Sequence, residues 1–329
     1  MPFALFALFA AASVLFSHDP AESARSLPGL LLFLLVPVVI DTVRRRDDAR
    51  RLLFALAAVG LVESLYSLWQ YGRGRGVLAD RIRGGLSHYM TFSGIAMIGG
   101  CLLLAWLLEE RGRRRWIGAL CLVPFTAIAL TLTRGAYVGI LAALAVYLAV
   151  RRARGLLLAI PLAALLIAAS PREVRQRFVS IVDLQDETNR DRIAMARAGL
   201  RMIGDRPIFG HGPEMIKTYY VLYRDEDAPR WRVPHLHNNL LQIAASMGIF
   251  AAAAYLTIVG LVLPRSIVRL RATPQGESGF LWAGPLMAVT ALTFAGLFEY
   301  NFGDTEVLIA TLMAMAVPFS RAVSAAPDG

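Results

Sequence analysis

Along this chain, apolar stretches of roughly membrane-spanning length alternate with short, polar punctuation. A helix needs about 20 apolar residues to cross ~30 Å of hydrocarbon. Runs of that kind predict about ten spans, near 1–17, 27–43, 52–71, 86–108, 116–133, 135–150, 156–170, 238–263, 279–299 and 304–320. The runs at 135–150 and 156–170 are short, which leaves one of them open as a tilted or partly re-entrant segment. The first run has no basic residue ahead of "ALFALFAAA", so it reads as a span, with a signal sequence as the alternative. The expected fold class is all-α: a polytopic transmembrane helix bundle of about ten spans with one large, partly helical extracytoplasmic loop.

The punctuation gives the orientation. "RRRDDARR" (44–51), "RGRRR" (111–115), "RRAR" (151–154) and "PRSIVRLR" (264–271) all fall on one side if spans alternate. The positive-inside rule makes that side cytoplasmic, and both termini lie there too. Three regions follow: N-terminal spans over 1–170, the extracytoplasmic loop over 171–237, and C-terminal spans over 238–329. Within the loop, "NRDRIAMARAGLRM" (190–203) predicts a helix with Ile193, Ala196, Leu200 and Ile203 along one side. Such a helix also suits a place on the membrane surface, its arginines toward lipid phosphates. "FGHGPE" (209–214) predicts turns.

Composition agrees with a membrane chain. Of 329 residues 57% are hydrophobic and 18% charged, and mean hydropathy is +0.54, outside the range of ordinary soluble domains. The net charge of +10 sits in clusters between spans, where it sets orientation, so no nucleic-acid partner is expected. Cys101 and Cys121 fall inside apolar runs and read as packing residues. No G-x-x-x-x-G-K-[ST] occurs, which argues against nucleotide hydrolysis.

Candidate chemistry collects on the outer side. Arg134, in "LTLTRGAYVGI", is flanked by apolar sequence, where an ionisable residue is costly. A snorkelling arginine is its bland reading. Arg73, Arg75, Arg81 and Arg83 in the 72–85 loop violate the orientation rule and suit an anionic ligand, although short loops also tolerate outward charge. "HLHNNLLQ" (235–242) puts His235, His237, Asn238, Asn239 and Gln242 at a helix mouth. Asn238 suits an N-cap, and a neutral-range histidine suits a general base. The H-x-H pair lacks a third ligand at regular spacing, so no metal or other cofactor is expected. Glu299, Asn301 and Asp304 in "FEYNFGDTEV" approach the same surface, to bind sugar hydroxyls, orient a histidine or solvate a helix end.

The order of these segments resembles the O-antigen ligase and polymerase superfamily, polytopic glycosyltransferases that use polyprenyl-diphosphate-linked sugars. His237-Asn238, followed after nine residues by Gly248, is similar to the family's histidine motif, with Ala251 where a second small residue, often glycine, stands. "TRGAYVGI" resembles its arginine-glycine motif, "RIAMARAGLRMIGDRPIFGHGPEMI" the start of its large loop, and "RIRGGLSHYMTFSG" an earlier arginine-glycine segment. The resemblance implies a metal-independent transferase in a bacterial inner membrane, its site facing the periplasm. His237 and Arg134 would be catalytic. Arg83, Arg192, His235, Asn238, Glu299 and Asp304 would bind the diphosphate or glycan. Partners would be a polyprenyl-diphosphate-linked glycan donor and a glycan or lipid acceptor. A polymerase joining repeat units, or a lipid-linked glycan transporter without chemistry, are the other readings.

Overall fold

The computed structural model describes residues 2–76, 80–112, 114–152 and 172–324. Among these the chain is helical, with no β-strand. Six helical segments are long and apolar enough to cross a membrane: Pro20–Thr42, Arg46–Gly72, Tyr89–Glu109, Ile249–Ala272, Ser278–Ala295 and Thr305–Val323. Three shorter apolar helices, Pro2–Leu15, Arg115–Thr131 and Arg134–Val150, coincide with other expected spans. The span expected at 156–170 lies outside the described residues.

The helices used below are α1 (Pro2–Leu15), α2 (Arg46–Gly72), α3 (Tyr89–Glu109), α4 (Leu122–Thr131), α5 (Arg134–Val150), α6 (Glu187–Asp205), α7 (Ile216–Tyr223), α8 (Asn239–Met247), α9 (Ile249–Ala272), α10 (Glu277–Ala295) and α11 (Thr305–Ala316). They form two compact units that interleave along the chain. The first contains Met1–Leu35, Ser180–Leu261 and Gly296–Thr305; the second contains Val36–Val179, Val262–Ala295 and Glu306–Gly329.

In the second unit, α3 and α10 are the most buried of the spanning helices. Close approach is bought by small residues, since helices in lipid gain from backbone proximity rather than from expelling water. A Cβ on Gly60 of α2 would stand 2.9 Å from the Cα of Gly99 in α3. At one end of the unit, Glu109 is fully buried and accepts from Arg151 Nε at 2.8 Å and Nη2 at 2.6 Å, and from Tyr147 at 2.7 Å. Arg151 also donates to the carbonyls of Leu270 and Thr273, joining the ends of α5 and α9. Glu63, in α2, is only half-buried. It accepts the Gly85 N–H at 2.6 Å and so holds a turn. Glu109 is the acid that burial selects.

In the first unit, α6, α7 and α8 pack around Met195, Ala198, Met202, Tyr220, Leu236 and Ala245. The face of α6 packed against α7 and α8 is carried by residues other than Ile193 and Leu200. Ile193 and Leu200 are exposed at 38% and 61%, while Met195, Ala198 and Met202 are buried. Small and pliable side chains face inward because α8 and its lead-in come close: a Cβ on Gly199 would sit 2.9 Å from Leu236. The bulkier aliphatics would not fit there.

The run expected as one span at 238–263 is in fact two helices. Gly248 ends α8 with φ 87° and ψ 173°, and a Cβ there would overlap the Ile208 carbonyl. Ile249 N–H then donates to the Pro207 carbonyl at 2.8 Å, so the 207–212 turns clasp the break. The expected run 279–299 likewise stops at Ala295, freeing 296–304 for turns.

Candidate functional site

The site of most chemical interest lies in the first unit, where "HLHNNLLQ" leads into α8. Asn238 is the N-cap, its side chain accepting the Leu241 N–H at 3.0 Å and donating to the Leu297 carbonyl at 3.0 Å. Asn239 N–H donates to the Gly296 carbonyl at 2.7 Å. Its side chain donates to Asn301 Oδ1 at 2.7 Å and accepts the Phe302 N–H at 3.1 Å. Gln242 accepts the Leu236 N–H at 2.8 Å. Most of the polar residues at this helix mouth therefore fasten 296–302 to it.

What they fasten is Glu299, opposite two histidines. His237 Nδ1 lies 2.9 Å from Glu299 Oε2 and 3.1 Å from Oε1. His235 Nε2 lies 3.7 Å from Oε1, too far for a hydrogen bond. His237 has φ 48°, a left-handed conformation that costs a non-glycine residue roughly 1–2 kcal/mol. Buried Leu236 on one side and the Asn238 cap on the other hold that conformation and turn the ring to Glu299. A carboxylate only accepts, so Nδ1–H is the donor and Nε2 is the ring nitrogen left for another partner.

Burial is the largest influence on Glu299 and pushes its pKa upward. The hydrogen bond and charge of His237, with the charges of His235 and Arg192, outweigh it, and the net shift is below the usual carboxylate value. The acid therefore stays ionised and orients the imidazole. His237 and Glu299 side chains are each 12% exposed, His235 25%.

The same three residues answer the question of a third metal ligand. Glu299 stands 62 residues beyond His237, invisible to local spacing. The ligand atoms of His235, His237 and Glu299 all lie within 4.8 Å of one another, and two imidazoles with a carboxylate suit zinc. His235 Nδ1 also accepts the His237 N–H at 3.4 Å, a long hydrogen bond. As it stands, the group is a histidine–carboxylate pair with a second histidine alongside.

Arg192 of α6 lies over the Phe298 ring, 5.9 Å from its centroid. Asp304 follows the 3-10 turn Asn301–Gly303 and is half-buried. Two residues went unmarked in the sequence. Asp191 is buried and pairs with Arg230 at 3.0 Å, leaving Oδ1 without a hydrogen bond. Burial holds its pKa above the usual value, against the pull of Arg230 and His237. An acid between two arginines in "NRDRI" was the available signal.

Arg134 and Arg83 belong to the second unit. Arg134 opens α5 directly after Leu132, which is left-handed at φ 59°, and Thr133. It is 5% exposed, so it does not snorkel. Hydroxyls of Ser93, Thr131 and Thr133 interlink at 2.9–3.3 Å around this break. Arg83 is exposed and donates to the Ser87 carbonyl at 2.8 Å. Gln70 accepts both the Arg83 and Gly84 N–H groups at 3.1 Å, fixing the turn. The four arginines of the 72–85 loop do not converge. Arg73 stacks on Trp69, Arg75 lies 3.7 Å from Asp80, and Arg81 stacks on Tyr89.

Residues 119–256 match the family model described as O-antigen ligase. The matched segment contains Arg134, Arg192, His235, His237 and Asn238; Arg83, Glu299 and Asp304 lie beyond it. No curated protein matches the chain.

Proposed function

We propose, starting from a membrane protein of the O-antigen ligase superfamily, that it transfers a glycan from a polyprenyl-diphosphate carrier to an acceptor hydroxyl outside the cytoplasmic membrane. The observation that carries this reading is the His237–Glu299 pair. It offers an imidazole Nε2 held in one orientation by a carboxylate at Nδ1.

In the proposed step the acceptor oxygen attacks the anomeric carbon and the bond from that carbon to the diphosphate oxygen breaks. The acceptor proton goes to His237 Nε2, and Glu299 stabilises the imidazolium. The polyprenyl diphosphate departs as an anion and needs no strong acid. Positive charge is what helps it leave. Arg192 is the cation beside the pair in this unit; roles for Arg134 and Arg83 on the diphosphate rest on the family resemblance. Asp191 and Asp304 supply acceptors for sugar hydroxyls. No step calls for a metal.

The test is glycan transfer by purified protein in liposomes, with a polyprenyl-diphosphate oligosaccharide, candidate acceptors and EDTA. The reading predicts transfer that persists in EDTA and is lost in His237→Ala and Arg134→Ala at unchanged folding. One added glycan marks a ligase and a ladder marks a polymerase. A fully active His237→Ala would sink the base.

A further inference from the structure

The basic clusters at 44–51 and 264–271 serve so far only as orientation signals, a role that asks nothing of their geometry. In the second unit they converge. Arg46, in the first turn of α2, and Arg269, in the last turn of α9, line one cavity of about 280 Å³ with Thr273, Ser278 and Trp282. A smaller hollow of about 190 Å³ shares Arg46 and Ser278 and adds Asp47 and Arg50.

The charge there is one-sided. Asp47 is taken by Arg50 at 2.8 Å. Arg46 reaches Ser278 Oγ at 3.4 Å, a long hydrogen bond, and neither Arg46 nor Arg269 makes an ion pair among the described residues. Two guanidiniums thus face one hollow, where an anion would relieve their repulsion. The lining also has a common level. It comes from the starts of Arg46–Gly72 and Ser278–Ala295 and from the ends of Ile249–Ala272 and Thr305–Val323. Ends of spanning helices lie among lipid headgroups.

We propose that this cavity binds the phosphate of an anionic phospholipid. Arg46 and Arg269 offer paired N–H donors to the phosphate oxygens, and Ser278 offers a hydroxyl. Leu281 and Trp282 supply the apolar wall for the glycerol and the first carbons of the chains. Basic pockets between helices at this depth recognise such headgroups. Orientation alone requires neither the convergence nor the apolar wall.

The experiment is native mass spectrometry of the full-length protein released from nanodiscs of phosphatidylglycerol and phosphatidylcholine. Wild type should retain phosphatidylglycerol in preference to phosphatidylcholine. Arg46→Gln/Arg269→Gln should weaken that retention about 10- to 30-fold, at roughly 1 kcal/mol per arginine. Arg115→Gln, outside the lining, should leave it unchanged. Ala272→Glu keeps both arginines and adds a carboxylate to the exposed rim, so it decides the matter should the double variant fold poorly. Retention equal to wild type in the well-folded variants overturns the proposal. So does displacement of the lipid by millimolar inorganic phosphate, which would mark a site for free phosphate.

Discussion

Glu109 and Glu299 are both carboxylates withdrawn from solvent beside cations, one in each compact unit, yet their surroundings differ in kind. Around Glu109, three donors fill the two oxygens, and Arg151 Nη1 donates to two helix-end carbonyls. Nothing in that cluster is left to react. Around Glu299, the donors are the Tyr300 N–H and an imidazole whose second nitrogen stays uncommitted, a second histidine stands 3.7 Å away, and the side chains keep a little exposure. Satisfied polar clusters fasten helices; partly satisfied ones at a surface have capacity to spare for a ligand. Burial of charge alone therefore does not mark a site.

The comparison can be broken by substitution. His237→Ala should cost the largest factor, about 10²–10⁴ in transfer rate per folded molecule, alongside some stability from leaving Glu299 without its imidazole partner. Glu299→Gln keeps the shape without the charge and should lose part of that factor. Arg151→Ala should do the reverse. It leaves Glu109 buried and unpaired, at about 3–5 kcal/mol of stability, read as lost monodispersity in size-exclusion profiles, while each folded molecule transfers normally. Replacing the pair together, as Glu109→Leu/Arg151→Met, should restore much of the loss.

A smaller effect sharpens the role of the asparagines. Asn239→Ala removes the acceptor of the Phe302 N–H and a donor to Asn301 Oδ1, costing about 1–3 kcal/mol. It should also reduce transfer, because Glu299 is then less firmly held.

The smallest effect is one of pH. His211 is fully buried. Its Nε2 lies 3.0 Å from the Met202 carbonyl and its Nδ1 3.1 Å from His18 Nε2. Burial is the main cause of its pKa lying below 6.5. A depressed histidine contributes stability that is complete above its unfolded value and is lost as pH falls through 6.5 toward the folded one. Thermal melts should therefore soften between pH 7.5 and 5.5, and His211→Gln should flatten that dependence.

Much of this was legible in the sequence, for definite reasons. Spanning helices declare themselves because lipid imposes a composition on every position, and His235, His237 and Glu299 of the candidate site stood out as polar residues at helix mouths. The break at Gly248 did not, because "SMGIF" is continuous in hydropathy and only the contact with Ile208 shows that a left-handed turn is needed. The packed face of α6 was not legible, because hydropathy marks Ile193 and Leu200, whereas the contacts are made by Met195, Ala198 and Met202. Nothing local in "EERGRRR" marks Glu109 as buried, since its partner Arg151 lies 42 residues on. Contacts between distant segments leave no local period to read.

The most direct measurement sets the two clusters side by side: initial transfer rate per folded molecule for wild type, His237→Ala and Arg151→Ala in the same liposomes. The account predicts a loss of at least about a hundredfold in His237→Ala and a wild-type rate for whatever fraction of Arg151→Ala folds. A wild-type rate in well-folded His237→Ala would contradict it.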